Sequence, residues 1–169
     1  MEHDIFFDGN VKEYSWSIKT KVADQIREHP PAFRSGGKLD IKNNEESRFV
    51  ALHVGIYWGL GVNIIKDNDV INVMCDSKIM FGIMTREEKS DNEIINKKVY
   101  FINQLTNLRK LKLNYHLMES EKNLTTKHLL AEKYTAEEIL KAMSNYNTNI
   151  INVVLSNACF NYATKFFEK

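Results

Sequence analysis

The clearest pattern in the chain is a strict alternation of apolar and polar positions over residues 14–22. Tyr14, Trp16 and Ile18 point to one side, and the serines and lysines between them point to the other. Residues 110–118 alternate in the same way. A period of two with aromatic or branched residues is typical of a strand with one buried face. The sequence therefore predicts a half-buried strand in each segment.

A run of apolar residues from Phe49 to Leu60 predicts a helix that is buried on all sides, with His53 as its exception. Asn44 is the predicted N-cap and Gly61 the predicted C-cap. The other predicted elements are a helix over 23–28, a loop over 32–44, strands over 70–75, 78–84 and 99–102, a helix opening at residue 135 and a terminal hairpin over 150–167.

These elements predict an α+β fold in which a mostly antiparallel sheet packs against two or three helices. The length of 169 residues lies in the usual range of one domain, so residues 1–169 are expected to form a single compact domain. The composition, 43% apolar and 27% charged, is that of a globular chain and not of a disordered one.

The charge is nearly balanced, with 23 basic and 22 acidic residues, which argues against a general binder of polyanions. Residues 101–169 carry the basic surplus. Cys75 and Cys159 are too far apart in sequence to suggest a zinc site or a disulfide framework. The chain shows neither a signal peptide nor a long apolar span, so a cytoplasmic location is expected.

Catalytic motifs are not evident in the sequence. The histidines show no metal-ligand spacing, and no nucleophile lies in a recognisable frame. His53 is interpreted as a core histidine with a hydrogen-bond partner, the alternative being a pH switch or a catalytic base. The pair Glu45 and Glu46 is interpreted as complementing a helix dipole, and Asp8-Gly9-Asn10 as a tight turn. We therefore expect no enzyme, no catalytic residues, no metal and no cofactor.

Two surfaces are candidates for binding. The basic ridge, defined as Arg109, Lys110, Lys112 and His116, could meet phosphates or anionic lipid headgroups, and the alternative is an ordinary solvated strand face. So few charges predict weak, salt-sensitive binding. Phe33 is an apolar side chain on the predicted loop, which suggests docking on another subunit or protein.

The order of the predicted elements supports one family resemblance. It rests on the strand Tyr14 to Val22, the helix and loop Asp24 to Arg34, the helix Phe49 to Gly61, the strand and acidic turn Leu111 to Glu121, and the closing elements Ala136 to Phe167. In this order the chain resembles the rhabdovirus matrix proteins. It lacks the basic or proline-rich tail and the PPxY and PTAP motifs of their animal-virus members, so plant-virus matrix proteins are the nearer comparison.

The resemblance implies a non-enzymatic viral structural protein, located in the host cytoplasm and the virion, that self-associates and links nucleocapsid to membrane. Its implied partners are a second copy of the chain, nucleocapsid protein or RNA, and an anionic membrane surface, with no small-molecule substrate. Pro30, Pro31 and Phe33 would form the self-association loop, and the basic ridge would meet lipid or nucleocapsid. The alternative is a monomeric binding module, such as a host-factor antagonist or an RNA-binding protein.

Overall fold

The computed structural model describes residues 1–23, 25–35 and 41–126, and it gives the backbone but not the side chains of residues 28–35. Five strands, three α-helices, one 3-10 turn and a short helical segment at residues 124–126 lie in these residues. In chain order they are β1 (Glu2–Gly9), β2 (Glu13–Val22), β3 (Gln25–Ser35), α1 (Asn44–Gly61), β4 (Val70–Cys75), α2 (Lys78–Thr85), α3 (Glu93–Leu108), β5 (Lys112–Leu117) and the 3-10 turn Ser120–Lys122.

The strands form one mixed sheet in the order β3-β2-β1-β4-β5. β1, β2 and β3 pair antiparallel, whereas β1, β4 and β5 pair parallel. The predicted α+β class is confirmed, although half of the pairings are parallel. The single domain over 1–169 stays a prediction, because residues 127–169 lie outside the described part of the chain. No helix among the described residues is long and apolar enough to span a bilayer.

The first hairpin follows its sequence pattern closely. In the register of β1 with β2, Phe7 pairs with Trp16 and Ile5 with Ile18, and all four side chains are buried. Asn10 closes the turn, because its side-chain oxygen accepts the backbone N–H of residue 12 at 2.8 Å and of residue 13 at 3.0 Å. The predicted strand over 14–22 is confirmed as β2, whereas the turn begins only at Asn10, because the preceding two residues still belong to β1.

Helix α1 packs its buried side chains on β1 and β2, as expected of the predicted buried helix. Its N-cap is Asn43 rather than Asn44, and the Asn43 side chain accepts the backbone N–H of Glu46 at 2.9 Å. Gly59 lets the helix approach closely, since a Cβ atom there would lie 2.6 Å from Ile65 Cδ1. The C-cap is residue 62, one position after the predicted one.

Four of the predicted elements are wrong. Residues 25–35 form β3 instead of a helix followed by a loop, after a turn in which Ala23 adopts φ 53°. The predicted strands over 78–84 and 99–102 are parts of helices α2 and α3. Each helix begins at a polar cap. The Ser77 side chain accepts the backbone N–H of residue 80 and the Asn92 side chain accepts that of residue 95, both at 3.1 Å.

The predicted strands over 70–75 and 110–118 are confirmed as β4 and β5. The predicted helix from residue 135 and the terminal hairpin lie outside the described residues.

Candidate functional site

Two aspartates meet where the adjacent parallel strands β1 and β4 end. Asp8 lies at the carboxyl end of β1, and Asp76 follows β4 directly. The parallel register pairs Phe6 with Met74, and continued by two residues it places Asp8 opposite Asp76. Ligands of open sheets containing parallel strands bind outside the carboxyl ends of those strands. This end of the sheet is therefore the candidate functional site.

Arg48 of helix α1 lies between the two aspartates. Its Nε donates a hydrogen bond to Asp8 Oδ1 at 3.0 Å and is 3.8 Å from Asp76 Oδ1. Its Nη1 donates to Glu45 Oε1 at 2.7 Å. Burial alone would lower the pKa of Arg48, but the hydrogen bond to Asp8 and the negative charges around it outweigh burial and raise the pKa. The guanidinium is therefore charged at every physiological pH.

The first turn of α1 packs directly on the end of β1, because Gly9 has no side chain at this point. A Cβ atom on Gly9 would overlap the Ser47 side chain, so only glycine permits this contact. Ser47 Oγ also donates to the backbone carbonyl of Glu13 at 3.4 Å. The close approach places Arg48, the next residue of the helix, over Asp8.

The segment after β5 closes the site from a third side. Asn123 is fully buried, and its Nδ2 donates to the carbonyl oxygen of Phe7 at 3.0 Å and to Asp76 Oδ2 at 2.9 Å. Thr126 Oγ1 donates to Asp8 Oδ2 at 2.7 Å. Each aspartate is thus held by α1 on one side and by residues 123–126 on the other.

Asp76 is the least well solvated carboxylate of the cluster. Its side chain is 1% exposed, and its Oδ1 has no hydrogen-bond partner among the described residues. Burial raises the pKa of Asp76, and the hydrogen bond from Asn123 and the charge of Arg48 offset only part of this shift. A buried carboxylate with one unbonded oxygen depends on Arg48 for its counter-charge.

The predicted self-association residues Pro30, Pro31 and Phe33 do not lie in a loop. They belong to β3, which is an edge strand of the sheet because it pairs with β2 alone among the described strands. The register of β3 with β2 shifts between Trp16 and Ile18, opposite the two prolines. Proline lacks the N–H that a ladder needs and is tolerated at such edge irregularities. The loop location is wrong.

The residues of the basic ridge are spread from the end of α3 to the far end of β5. Arg109 caps the end of α3 and forms an ion pair with Asp67 at 2.8 Å, and Lys110 lies in the following turn with φ 52°. Lys112 and His116 are exposed at opposite ends of β5. The ridge lies apart from the aspartates except at its His116 end, and its role in anion binding stays a prediction.

His53 lies outside the candidate site. Its ring stacks on Phe101 with the ring centres 5.6 Å apart, and its Nδ1 has no hydrogen-bond partner among the described residues. Burial, with a smaller effect of the Lys98 charge, lowers the pKa of His53 to about 3. The hydrogen bond expected of His53 is therefore not seen at Nδ1 in the described part of the chain, where the ring packs on Phe101.

No protein-family model and no curated protein matches the chain. Solved structures do match it. RNase H1 from the halophilic archaeon Halobacterium salinarum is 13% identical with a TM-score of 0.58, covering 76% of this chain and 94% of that one. The N-terminal RNase H domain of a Mycobacterium tuberculosis protein is 16% identical with a TM-score of 0.57, covering 76% and 95%. LC11-RNase H1 in complex with an RNA/DNA hybrid is 15% identical with a TM-score of 0.54, covering 75% and 99%. At these identities the likeness shows an RNase H-like fold.

These neighbours correct the sequence-based function. The resemblance to a rhabdovirus matrix protein is wrong, because it relied on the order of elements and took the strand β3 for a helix and a loop. The expectations of a structural protein without enzyme activity, of self-association and of a membrane partner are contradicted, since the neighbours are ribonucleases. The alternative of an RNA-binding module agrees better with the fold.

Sequence reasoning missed Asp76 and Arg48 altogether, and it interpreted Asp8 only as a turn residue. The usable signal is that Asp8 and Asp76 each come directly after a run of apolar strand residues. Such a position places a carboxylate at the carboxyl end of a strand. Only the parallel pairing of β1 with β4 brings the two together.

Carboxylates that converge at one point of a structure are common ligands of divalent metal ions. A magnesium ion requires a nearly octahedral set of oxygen ligands. Here the Arg48 guanidinium lies between Asp8 and Asp76, and both oxygens of Glu45 accept hydrogen bonds, from Arg48 and from Ser77. The part of the chain that the structure describes contains no group of three His, Cys, Asp or Glu side chains suited to a metal. With the Arg48 charge between its two aspartates, the described part of this site does not fit a divalent metal ion.

Proposed function

We propose that this domain binds nucleic acid at the carboxyl end of β1 and β4, and that its ligand is an RNA/DNA hybrid duplex. The observation that carries the proposal is the convergence of Asp8, Arg48 and Asp76 at this one end of an RNase H-like sheet. One structural neighbour is in complex with an RNA/DNA hybrid, which supports the choice of ligand.

Three exposed lysines, the rim lysines, lie on segments that adjoin the site. Lys12 is in the turn after β1, Lys42 precedes the cap of α1, and Lys78 begins α2 two residues after Asp76. Lysine contacts to phosphates supply most of the non-specific affinity of nucleic-acid binding. The rim lysines would attract the phosphate backbone to a site whose own cluster is rich in carboxylates.

Fluorescence anisotropy of a labelled RNA/DNA hybrid, titrated with protein at several salt concentrations, tests the proposal. Each phosphate contact of a duplex contributes about −0.9 to the slope of log K against log salt, so three rim contacts predict a slope of about −3. Replacing two of them, Lys12→Glu with Lys78→Glu, should weaken binding and make the slope less steep by about 2.

The matched control is Lys66→Glu with Lys112→Glu, which changes the net charge equally at the opposite end of β4 and β5. Unchanged binding in this control supports the proposed location. An equal loss in both double variants would refute it, and a loss in the control alone would favour the basic ridge. A parent protein that binds neither hybrid nor single strands would refute the function itself.

Hydrolysis of the bound RNA strand is the second candidate function. It is favoured by the carboxylates of Asp8 and Asp76, which converge at the end of the sheet where the strand would pass. Cleavage of end-labelled RNA in the hybrid, compared between the parent protein and Asp76→Asn, tests it. Cleavage that the variant lacks supports an active site here, whereas equal cleavage by both would exclude one.

A further inference from the structure

We propose that Arg48 is the resident cation of this site: its guanidinium fills the place between Asp8 and Asp76, so that nucleic acid binds here without a divalent metal ion. The part concerning nucleic acid rests on the proposed function, whereas the part concerning the cation does not.

The carboxylate oxygens of the site are already engaged. Asp8 Oδ1 accepts from Arg48 Nε at 3.0 Å, and Asp8 Oδ2 accepts from Thr126 Oγ1 at 2.7 Å. Glu45 Oε1 accepts from Arg48 Nη1 at 2.7 Å, and Glu45 Oε2 accepts from Ser77 Oγ at 2.8 Å. A metal ion at these oxygens would share them with existing hydrogen bonds and would lie beside the Arg48 guanidinium, whose positive charge opposes it.

Asp76 offers a single free atom. Its Oδ2 accepts from Asn123 Nδ2 at 2.9 Å, and its Oδ1, without a hydrogen-bond partner among the described residues, faces Arg48 Nε at 3.8 Å. Waters and phosphates usually complete the six-ligand shell of magnesium, so the charge beside this oxygen matters more than the number of protein ligands. A divalent ion beside this oxygen would also meet the positive charge of Arg48, which repels it.

Arg48 keeps part of its donor capacity for a ligand. Its side chain is 21% exposed, so the guanidinium is partly reachable from solvent at the end of the sheet. A guanidinium presents several N–H donors in a planar fork that matches the geometry of a phosphate. The same group can therefore neutralise the aspartates and meet the phosphate backbone, two roles that a metal ion would otherwise combine.

Titration of the protein with Mn²⁺ by calorimetry tests the cation part. We expect no Mn²⁺ binding at this site in the parent protein. Arg48→Glu should raise the Mn²⁺ affinity of the site at least about tenfold, and a tenfold change corresponds to about 1.4 kcal/mol. The gain should disappear when Asp76→Asn is added, and the matched charge change Arg27→Glu on exposed β3 should produce none. Mn²⁺ binding to the parent that Asp76→Asn abolishes would overturn the proposal.

Arg48→Gln serves if Arg48→Glu does not fold, and it also tests the part concerning nucleic acid. Hybrid affinity of the parent should agree within about twofold between EDTA and Mg²⁺ at equal ionic strength, because phosphate contacts are themselves salt-dependent. Arg48→Gln should weaken binding about tenfold or more. Binding that requires Mg²⁺ would overturn the inference. Absence of hybrid binding under both conditions would refute the proposed function, while the Mn²⁺ titration would still decide whether Arg48 is the resident cation.

Discussion

Replacing Arg48 by Met should destabilise the protein strongly at neutral pH. The Asp8 side chain is 9% exposed and that of Asp76 is 1% exposed, so the substitution leaves two buried carboxylates without their counter-charge. Removing one partner of a buried ion pair costs about 3–5 kcal/mol. Because the Arg48 side chain is 21% exposed and water can enter the vacated space, we expect the lower end, about 3 kcal/mol.

Urea unfolding followed by circular dichroism at pH 7 measures this loss, with an unchanged slope m as the sign that only stability has changed. Arg27→Met on the exposed edge strand is the control, and it should stay within about 0.5 kcal/mol of the parent. The double variant Arg48→Met with Asp76→Asn should recover part of the stability, because it removes a buried charge along with its partner.

The pH dependence of the Arg48→Met loss follows from the sign of the Asp76 shift. Burial raises the pKa of Asp76, so its ionised form disfavours the folded state, and this cost is absent below the ordinary aspartate pKa of about 3.9. Loss of Arg48, whose charge lowers the pKa of Asp76, makes the cost larger and extends it upward in pH. The difference between variant and parent should therefore shrink from pH 7 to pH 4. A difference below about 1 kcal/mol at pH 7, or one equal at both pH values, would refute the buried-charge argument.

Two further predictions concern helix α1. The pKa of His53 falls from its ordinary 6.5 to about 3 through burial and the Lys98 charge, so stability should be lost as the pH drops below 6.5. In His53→Phe the loss of unfolding free energy between pH 8 and pH 5 should be smaller by about 2 kcal/mol. Equal losses in parent and variant would contradict the pKa shift. A Cβ on Gly59 would press on Ile65 at 2.6 Å, whereas one on Gly61 meets nothing within 4 Å. Urea unfolding should show Gly59→Ala destabilised by about 1–3 kcal/mol from overpacking and Gly61→Ala stabilised by up to about 1 kcal/mol, and a loss in both would point to the backbone instead.

Local patterns predicted the elements whose burial is one-sided or complete. The alternation over residues 14–22 fits only a strand, and the apolar run of α1 is too long for one, so both were predicted correctly. Residues 78–84 and 99–102 are short apolar stretches, which fit a strand as well as a buried helical turn. The caps Ser77 and Asn92 distinguish the two, since each satisfies a free N–H at a helix start. Attention to these caps would have predicted α2 and α3.

The candidate site was beyond the reach of local patterns because its members are far apart in sequence. Asp8, Arg48, Asp76 and Asn123 come from four different elements or loops, and only the parallel register of β1 with β4 and the packing of α1 bring them together. A search for closely spaced catalytic residues cannot find such an arrangement. Long-range pairing of strands is the information that the sequence pattern lacked.

The contacts that fill the site are also contacts that hold the fold together. Arg48 ties the first turn of α1 to the ends of β1 and β4, and Asn123 ties the segment after β5 to the same point. A ligand that competed with Arg48 for Asp8 and Asp76 would have to replace this anchoring, whereas a ligand that binds the exposed part of the guanidinium would leave it intact. The geometry therefore favours an anionic ligand over a cationic one, because an anion adds a partner to Arg48 while a cation must take its partners away.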